Sequence, residues 1–119
     1  MDKSILIVDD SVGITDTLRD ALTAKGYKAA TANSGEAAYR LILTDRKAYG
    51  LVIMDVEMPG WSGVETLNNL RDVEVTIPVI LMSGFTSELI PAGVSFLPKP
   101  FFLRDLYEKV TQALEGDAT

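Results

Sequence analysis

Short apolar runs alternate with longer amphipathic segments along this chain. Four runs are continuously hydrophobic, and they span residues 4–8, 51–54, 78–82 and 94–97. A fifth run, over 27–32, is less apolar. Continuous hydrophobicity is typical of strands covered on both faces of a parallel sheet. We therefore expect four buried strands, with 27–32 as an edge strand.

Helical spacing of apolar residues separates these strands. Gly26 is placed to end the first helix, the second is expected to open at 33–34, and Ser62 with Glu65 forms a capping-box pattern at the start of the third. The segment 86–93 is interrupted by proline and glycine, so a helix there must be short. The apolar positions of the four longer helices are Ile14, Leu18, Ala21 and Leu22; Ala38, Leu41 and Ile42; Val64, Leu67 and Leu70; and Leu106, Val110, Ala113 and Leu114.

The resulting order is βαβαβαβαβα. Such alternation predicts an α/β fold with a doubly wound parallel sheet, helices on both faces and right-handed crossovers. The 119 residues (12.9 kDa) are enough for a single domain spanning 1–119.

Composition narrows the function. An apolar content of 47% indicates a globular chain, and a formal charge of −6 argues against direct nucleic-acid binding. Cysteine and histidine are both absent, which excludes disulfides, thiolate metal sites and histidine-based catalysis. There is no run of about 20 apolar residues, and Met1 to Ser4 leaves no room for a signal peptide before the first strand. We therefore expect a cytoplasmic protein without membrane contact, whose chain begins at this domain.

Polar residues follow four of the predicted strands. Asp9 and Asp10 come after the first run, Asp55 after 51–54, Ser83 after the fourth strand and Lys99 after the fifth. Each alone has a structural explanation, as a helix cap, a turn or a loop residue. In a parallel sheet, however, these strand ends share the edge where open α/β folds bind ligands. The sequence therefore predicts one site with three carboxylates, a hydroxyl and an ammonium group.

Three close carboxylates repel each other unless one is protonated or a cation lies among them. Mg²⁺ suits this set, since it prefers hard oxygen ligands, whereas zinc is improbable without His or Cys. A carboxylate beside Mg²⁺, a lysine and a hydroxyl is suited to phosphoryl transfer, with an acyl phosphate on the aspartate as product.

Four motifs, "ILIVDDS", "LVIMDVEMPGWSG", "VILMSG" and "FLPKPF", resemble those of receiver domains of two-component response regulators. The match runs in order over nearly the whole chain. It implies a flavodoxin-like, five-stranded parallel sheet of order 2-1-3-4-5 flanked by five helices. It also implies a phosphorylation-dependent signalling module rather than an enzyme with a dedicated metabolite.

The resemblance assigns roles to the acidic residues. Asp55 matches the phosphoacceptor, and Asp10 and Asp55 would bind Mg²⁺ directly, with Mn²⁺ able to substitute. Asp9 would act through water, and the backbone carbonyl of Glu57 would be a further metal ligand.

The remaining motif positions carry the switch. Lys99 would pair with the phosphoryl group, and Ser83 would move in to hydrogen-bond it. Phe96 matches the switch aromatic, although core packing explains it equally well, and the Lys99–Pro100 bond resembles a family cis peptide.

The phosphoryl donor must be another protein, because this chain has no histidine. A sensor histidine kinase or a histidine phosphotransfer protein is the partner that the resemblance implies. A homodimer, weak or dependent on phosphorylation, is also compatible with it.

Two features depart from the family pattern. The stretch from Ser83 to Lys99 is shorter than usual by about one to two helical turns, so the fourth of the five helices is expected to be short or irregular, and the usual dimer surface there is in doubt. The second departure is Glu57, which lies two residues after the matched acceptor, Asp55. It predicts an altered rate of hydrolysis of the acyl phosphate, but the sequence does not determine whether hydrolysis is faster or slower.

Two other functions compete. A haloacid-dehalogenase-type small phosphatase also uses a strand-end aspartate, a serine, a lysine and Mg²⁺, but its nucleophile precedes the acidic pair, whereas Asp9 and Asp10 precede Asp55 here. A receiver-like scaffold that is never phosphorylated usually loses part of the site, and all five positions are present.

Overall fold

A computed structural model describes residues 3–84 and 90–116. Short strands and helices alternate from residue 4 to residue 83, as the apolar pattern predicts. In chain order they are β1 (Ser4–Val8), α1 (Val12–Ala24), β2 (Lys28–Ala32), α2 (Gly35–Thr44), β3 (Tyr49–Asp55), α3 (Gly63–Asp72), β4 (Val79–Ser83), β5 (Ser95–Pro98) and α4 (Leu103–Gly116).

The five strands form one parallel sheet in the order β2-β1-β3-β4-β5. This confirms the predicted doubly wound topology, which is that of the flavodoxin-like receiver fold. β2 lies at one edge and is less buried than the central strands, as its weaker hydrophobicity predicts.

Each face of the sheet has its own core, because successive side chains along a strand point to opposite faces. Ile5, Ile7 and Ile53 belong to the core that includes residues of α1 and α4. Leu6 and Val8 belong to the other core, with residues of α2 and α3. The sheet is thus covered on both faces, and only its ends remain open for polar groups.

The helix boundaries follow local sequence signals. Ser34 caps α2 and Ser62 caps α3, the latter in a complete capping box with Glu65. Gly26 follows α1 with φ of 95°, a left-handed conformation that glycine adopts without strain. Leu41 was predicted on the inner face of α2 but is 40% exposed, so the buried stripe of this helix is narrower than the apolar pattern suggests.

The fourth of the five expected helices is not among the helices described, and four helices are found in 3–84 and 90–116. The prediction of a short helix falls partly on 85–89, outside the described residues. Residues 90–94, which include Pro91 and Gly93, form no helix. No helix in the described ranges is both long and apolar enough to cross a bilayer.

Candidate functional site

The carboxyl ends of four parallel strands supply the polar side chains of the site. Asp9 and Asp10 follow β1, and Asp55 is the last residue of β3. Ser83 ends β4, and Lys99 follows β5. The backbone amide of Lys99 donates to the carbonyl of Ser83 at 2.8 Å, which fixes these two ends side by side.

The three aspartates form a compact acidic cluster. One carboxylate oxygen of each of Asp9, Asp10 and Asp55 lies within 4.8 Å of the other two. Asp9 and Asp55 are buried, with relative exposures of 1% and 4%, whereas Asp10 is exposed. The cluster therefore has a closed floor and one side open to solvent.

Lys99 provides the counter-charge. Its Nζ lies 3.1 Å from Oδ2 of Asp9 and 3.0 Å from Oδ1 of Asp55. Burial lowers the pKa of Lys99, but its hydrogen bonds and ion pairs with Asp55 and Asp9 outweigh this and raise the pKa above its ordinary value. Lys99 thus stays protonated between the two carboxylates.

Asp55 is less well compensated. Its Oδ1 is buried, and among the described residues the Lys99 ammonium, 3.0 Å away, is the one donor group near it. Burial raises the pKa of Asp55 from 3.8 to about 6, since the attraction of Lys99 only partly offsets desolvation and the charges of Asp9 and Glu57. The carboxylate is ionised at neutral pH but poorly solvated, which leaves it open to an electrophile or a cation.

The hydroxyl of Ser83 contacts Glu57. Oγ of Ser83 donates to Oε2 of Glu57 at 2.6 Å, and Ser83 is buried with 1% of its surface exposed. Glu57 lies in the loop that follows β3 and is partly buried. This loop therefore connects the acceptor strand to the end of β4 through side chains.

Close packing of α3 supports the same loop. A Cβ at Gly63 would lie 2.3 Å from the backbone oxygen of Asp55, so only glycine permits this approach. The Gly63 amide donates to the Val56 carbonyl at 2.9 Å. These contacts fix the backbone at Asp55 and Val56.

The outer end of the loop is attached to α2. The Trp61 amide donates to Oε2 of Glu36 at 3.3 Å, and the Trp61 ring packs edge-on against Tyr39 with centroids 5.3 Å apart. Trp61 lies between the end of β3 and the start of α3. Its environment thus reports on the loop that carries Glu57.

The structure places the sequence-predicted residues as follows. Asp9, Asp10, Asp55 and Lys99 meet directly, and Ser83 joins them through the backbone of Lys99 and the side chain of Glu57.

The predicted aromatic switch residue lies outside this contact network. Phe96 pairs with Leu81 in the sheet and is partly buried. Adjacent side chains of a strand point to opposite faces of the sheet. Leu97 is buried in the core that includes residues of α1 and α4, so Phe96 lies on the other face. The Lys99–Pro100 peptide is cis.

Sequence reasoning missed two contacts of the site. It considered Asp9 and Asp10 as caps of α1, whereas Ser11 caps this helix and donates its own amide to Oδ1 of Asp9 at 2.9 Å. It also missed the bond between Glu57 and Ser83. The available signal was that both residues lie at the same end of neighbouring strands.

The acidic cluster fits a hard divalent cation. Its oxygens come from Asp9, Asp10 and Asp55, and in the described part of the chain the buried Oδ1 of Asp55 is compensated only by the ammonium of Lys99, which Asp9 shares. Mg²⁺ binds such oxygens, usually with one or two carboxylates and several waters. The open side at Asp10 gives room for those waters.

Comparison with known proteins gives a consistent answer. The family model described as "Response regulator receiver domain" matches residues 5–111. The transcriptional regulatory protein CpxR of Escherichia coli K12 is 34% identical over 118 residues, which are 94% of this chain and 49% of CpxR. The uncharacterised transcriptional regulatory protein YrkP of Bacillus subtilis is 32% identical over 116 residues, 92% of this chain and 48% of YrkP.

Solved structures agree with these relatives. Response regulator protein TrrA of Thermotoga maritima, in complex with Mg²⁺-BeF, is 34% identical with a TM-score of 0.84, and the match covers 94% of this chain and 99% of that chain. The chain spans about half the length of the curated relatives it matches. With the sheet order, the acidic cluster and the family match in agreement, the chain belongs to the response regulator receiver domains of two-component signalling.

Proposed function

We propose that residues 1–119 form one receiver domain, which accepts a phosphoryl group from a phosphohistidine on a partner protein. The acceptor in this proposal is Asp55. The observation that carries it is the buried carboxylate of Asp55, whose Oδ1 lies 3.0 Å from the ammonium of Lys99 and which is grouped with two further aspartates.

In the proposed transfer, a carboxylate oxygen of Asp55 attacks the phosphorus. The bond from phosphorus to the histidine nitrogen breaks, and the imidazole of the partner keeps the electron pair and takes up a proton. The product is an acyl phosphate on Asp55. Lys99 stays protonated and stabilises the negative charge on the phosphoryl oxygens.

Asp10 and Asp55 are the proposed direct ligands of Mg²⁺, with Asp9 acting through water and the Glu57 carbonyl as a further ligand. A bound Mg²⁺ ion neutralises charge on the phosphoryl oxygens. The Mg²⁺-BeF complex of the similar protein TrrA supports this choice of metal and of phosphoryl chemistry. Mn²⁺ prefers similar oxygen ligands and is expected to substitute.

The donor in this proposal is a histidine kinase or a histidine phosphotransfer protein. Exposed apolar side chains lie near Lys99 in sequence, with Phe102 69% and Leu103 43% exposed, and Val12 at the start of α1 is 64% exposed. Such side chains support docking of a protein partner beside the site. The domain then acts on its own aspartate in the cytoplasm and turns over no dedicated metabolite.

The test is phosphorylation with a small-molecule donor, acetyl phosphate, in the presence of Mg²⁺. Intact mass should show one added phosphoryl group on the wild type and none on Asp55→Asn. Asp72→Asn, an exposed aspartate at the end of α3, serves as the matched control and should be modified like the wild type. An adduct that persists on Asp55→Asn would contradict the assignment of the acceptor.

The switch is tested separately. Trp61 is the only tryptophan, so its fluorescence should change on adding Mg²⁺ and change again on phosphorylation. Ser83→Ala should still be phosphorylated, but its fluorescence change on phosphorylation should be weaker. The variant lacks the hydroxyl that is proposed to move in and hydrogen-bond the phosphoryl group. An unchanged second response in Ser83→Ala would refute the coupling through Ser83.

A further inference from the structure

The hydroxyl of Ser83, the proposed switch residue, is hydrogen-bonded to the side chain of Glu57. Oγ of Ser83 lies 2.6 Å from Oε2 of Glu57. A hydroxyl-to-carboxylate bond of this length belongs to the strong, charge-assisted class. It is also shielded, because Ser83 is 1% exposed and Glu57 is partly buried.

The direction of this bond follows from the groups involved. A carboxylate has no proton to give, so Ser83 must be the donor and Glu57 the acceptor. A serine hydroxyl has a single hydrogen. While this hydrogen is directed at Glu57, it is not available to the oxygen of a phosphoryl group on Asp55.

We propose that Glu57 is a positioning residue that holds the Ser83 hydroxyl in the unphosphorylated state and competes with the phosphoryl group for its one hydrogen. This inference rests on the proposed function of Asp55 and Ser83. Glu57 therefore shifts the domain toward its resting conformation and weakens the response to each phosphorylation event.

Charge acts in the same direction but by a different route. Glu57 adds negative charge close to Asp55 and helps to raise the pKa of that carboxyl. Repulsion of this kind would oppose a phosphoryl group whether or not Ser83 carries a hydroxyl. The two effects are therefore separable by removing Ser83.

The experiment is a double-mutant cycle on Glu57→Ala and Ser83→Ala. Beryllofluoride, a phosphoryl mimic, is titrated into each protein at saturating Mg²⁺ and followed by Trp61 fluorescence. We expect Glu57→Ala to tighten binding about 3- to 10-fold when Ser83 is present, which corresponds to roughly 0.7–1.4 kcal/mol. In the Ser83→Ala background, the same change should alter binding less than about 2-fold.

Two conservative variants serve as controls. Ser83→Thr keeps the hydroxyl, so in its background Glu57→Ala should again tighten binding. Glu57→Gln keeps an acceptor oxygen without the charge and should show a smaller gain than Glu57→Ala. A thermal unfolding curve for every variant shows that the proteins compared are folded.

Each outcome decides one question. An equal gain from Glu57→Ala with and without the Ser83 hydroxyl would mean that charge alone acts, and the positioning role would be wrong. No gain in either background would mean that Mg²⁺ binding already frees Ser83, which would also overturn it. A wild-type protein that neither binds beryllofluoride nor gains a phosphoryl group would instead contradict the proposed function itself.

Discussion

The protonation state of Asp55 depends on a few close neighbours. Its carboxyl group is buried beside Asp9, and Lys99 is shared between the two carboxylates at 3.0 and 3.1 Å. Burial removes water from the Asp55 carboxylate, and one shared ammonium group only partly offsets this loss and the repulsion from Asp9. Folding therefore opposes the ionised form of Asp55 and raises its pKa to about 6. Without a bound cation, the ionised Asp55 carboxylate therefore destabilises the fold at neutral pH.

This balance predicts how stability depends on pH. Asp55 has a pKa of 3.8 in the unfolded chain and about 6 in the folded one. The contribution of its carboxyl group to folding stability is therefore fully present below about pH 4 and is lost as the pH rises through 6. Asp55→Asn should therefore raise the free energy of unfolding at pH 7.5 by roughly 1–3 kcal/mol without Mg²⁺. The gain should vanish near pH 4, where Asp55 itself is neutral.

Urea denaturation between pH 4 and 8 measures this difference. Asp20→Asn is the control, because the side chain of Asp20 is 80% exposed and should leave the pH profile unchanged. Equal stabilisation by Asp55→Asn at pH 4 and pH 7.5 would show that the effect does not come from the charge of Asp55.

Among the elements, α3 makes the closest contacts with the backbone of Asp55, the proposed acceptor. Its first residue, Gly63, packs against the backbone of Asp55, and its cap is closed by Ser62 and Glu65. The loop before it is also attached to α2 through Glu36 and Trp61. The end of β3 is thus fixed from two helices.

A methyl group at Gly63 should disturb this packing. In Gly63→Ala the new Cβ would lie 2.3 Å from the Asp55 carbonyl oxygen, so α3 or the end of β3 must move. We expect a loss of about 2–4 kcal/mol in the free energy of unfolding and slower phosphorylation of Asp55.

Gly13→Ala is the matched control, since its Cβ would meet only Oγ of Ser11 at 3.9 Å. Gly13 lies in the first turn of α1, and alanine there should be neutral or stabilising by up to about 1 kcal/mol. Denaturation of both variants gives the comparison, and a neutral Gly63→Ala would contradict the close approach.

The elements also show which features the sequence could predict. Strands β1, β3 and β4 were predictable because their hydrophobicity is continuous, and the caps at Ser34 and Ser62 because their bonds lie within four residues. The conformation of 90–94 was not predictable, because Pro91 and Gly93 limit a helix without specifying the backbone that forms in its place.

For the whole molecule, the topology of the sheet explains why the site was largely predictable. Parallel strands bring Asp9, Asp55 and Lys99 to one edge whatever their loops do, so the composition of the cluster follows from the order of the motifs. The bond between Glu57 and Ser83 depends instead on side-chain rotamers and on the register of β3 against β4. A linear sequence contains neither.

The excess of negative charge at this edge predicts a stabilising effect of Mg²⁺ on the entire domain. A ligand that binds only the folded state stabilises it by about 2.7 kcal/mol at a concentration 100 times its dissociation constant. For a domain of this size the melting temperature should rise by roughly 5–10 °C at saturating MgCl₂. Mn²⁺ should act similarly, since both ions prefer oxygen ligands.

Calorimetry with and without MgCl₂, at matched ionic strength in NaCl, measures this rise. Asp10→Asn and Asp55→Asn should each lose most of it, because they remove oxygens that we propose as direct ligands, whereas Asp20→Asn on the surface of α1 should retain it. If NaCl alone reproduced the rise, general screening of the −6 charge would be the cause. If the rise survived in both site variants, the ion would bind elsewhere, and the acidic cluster would have to hold its excess charge without a metal.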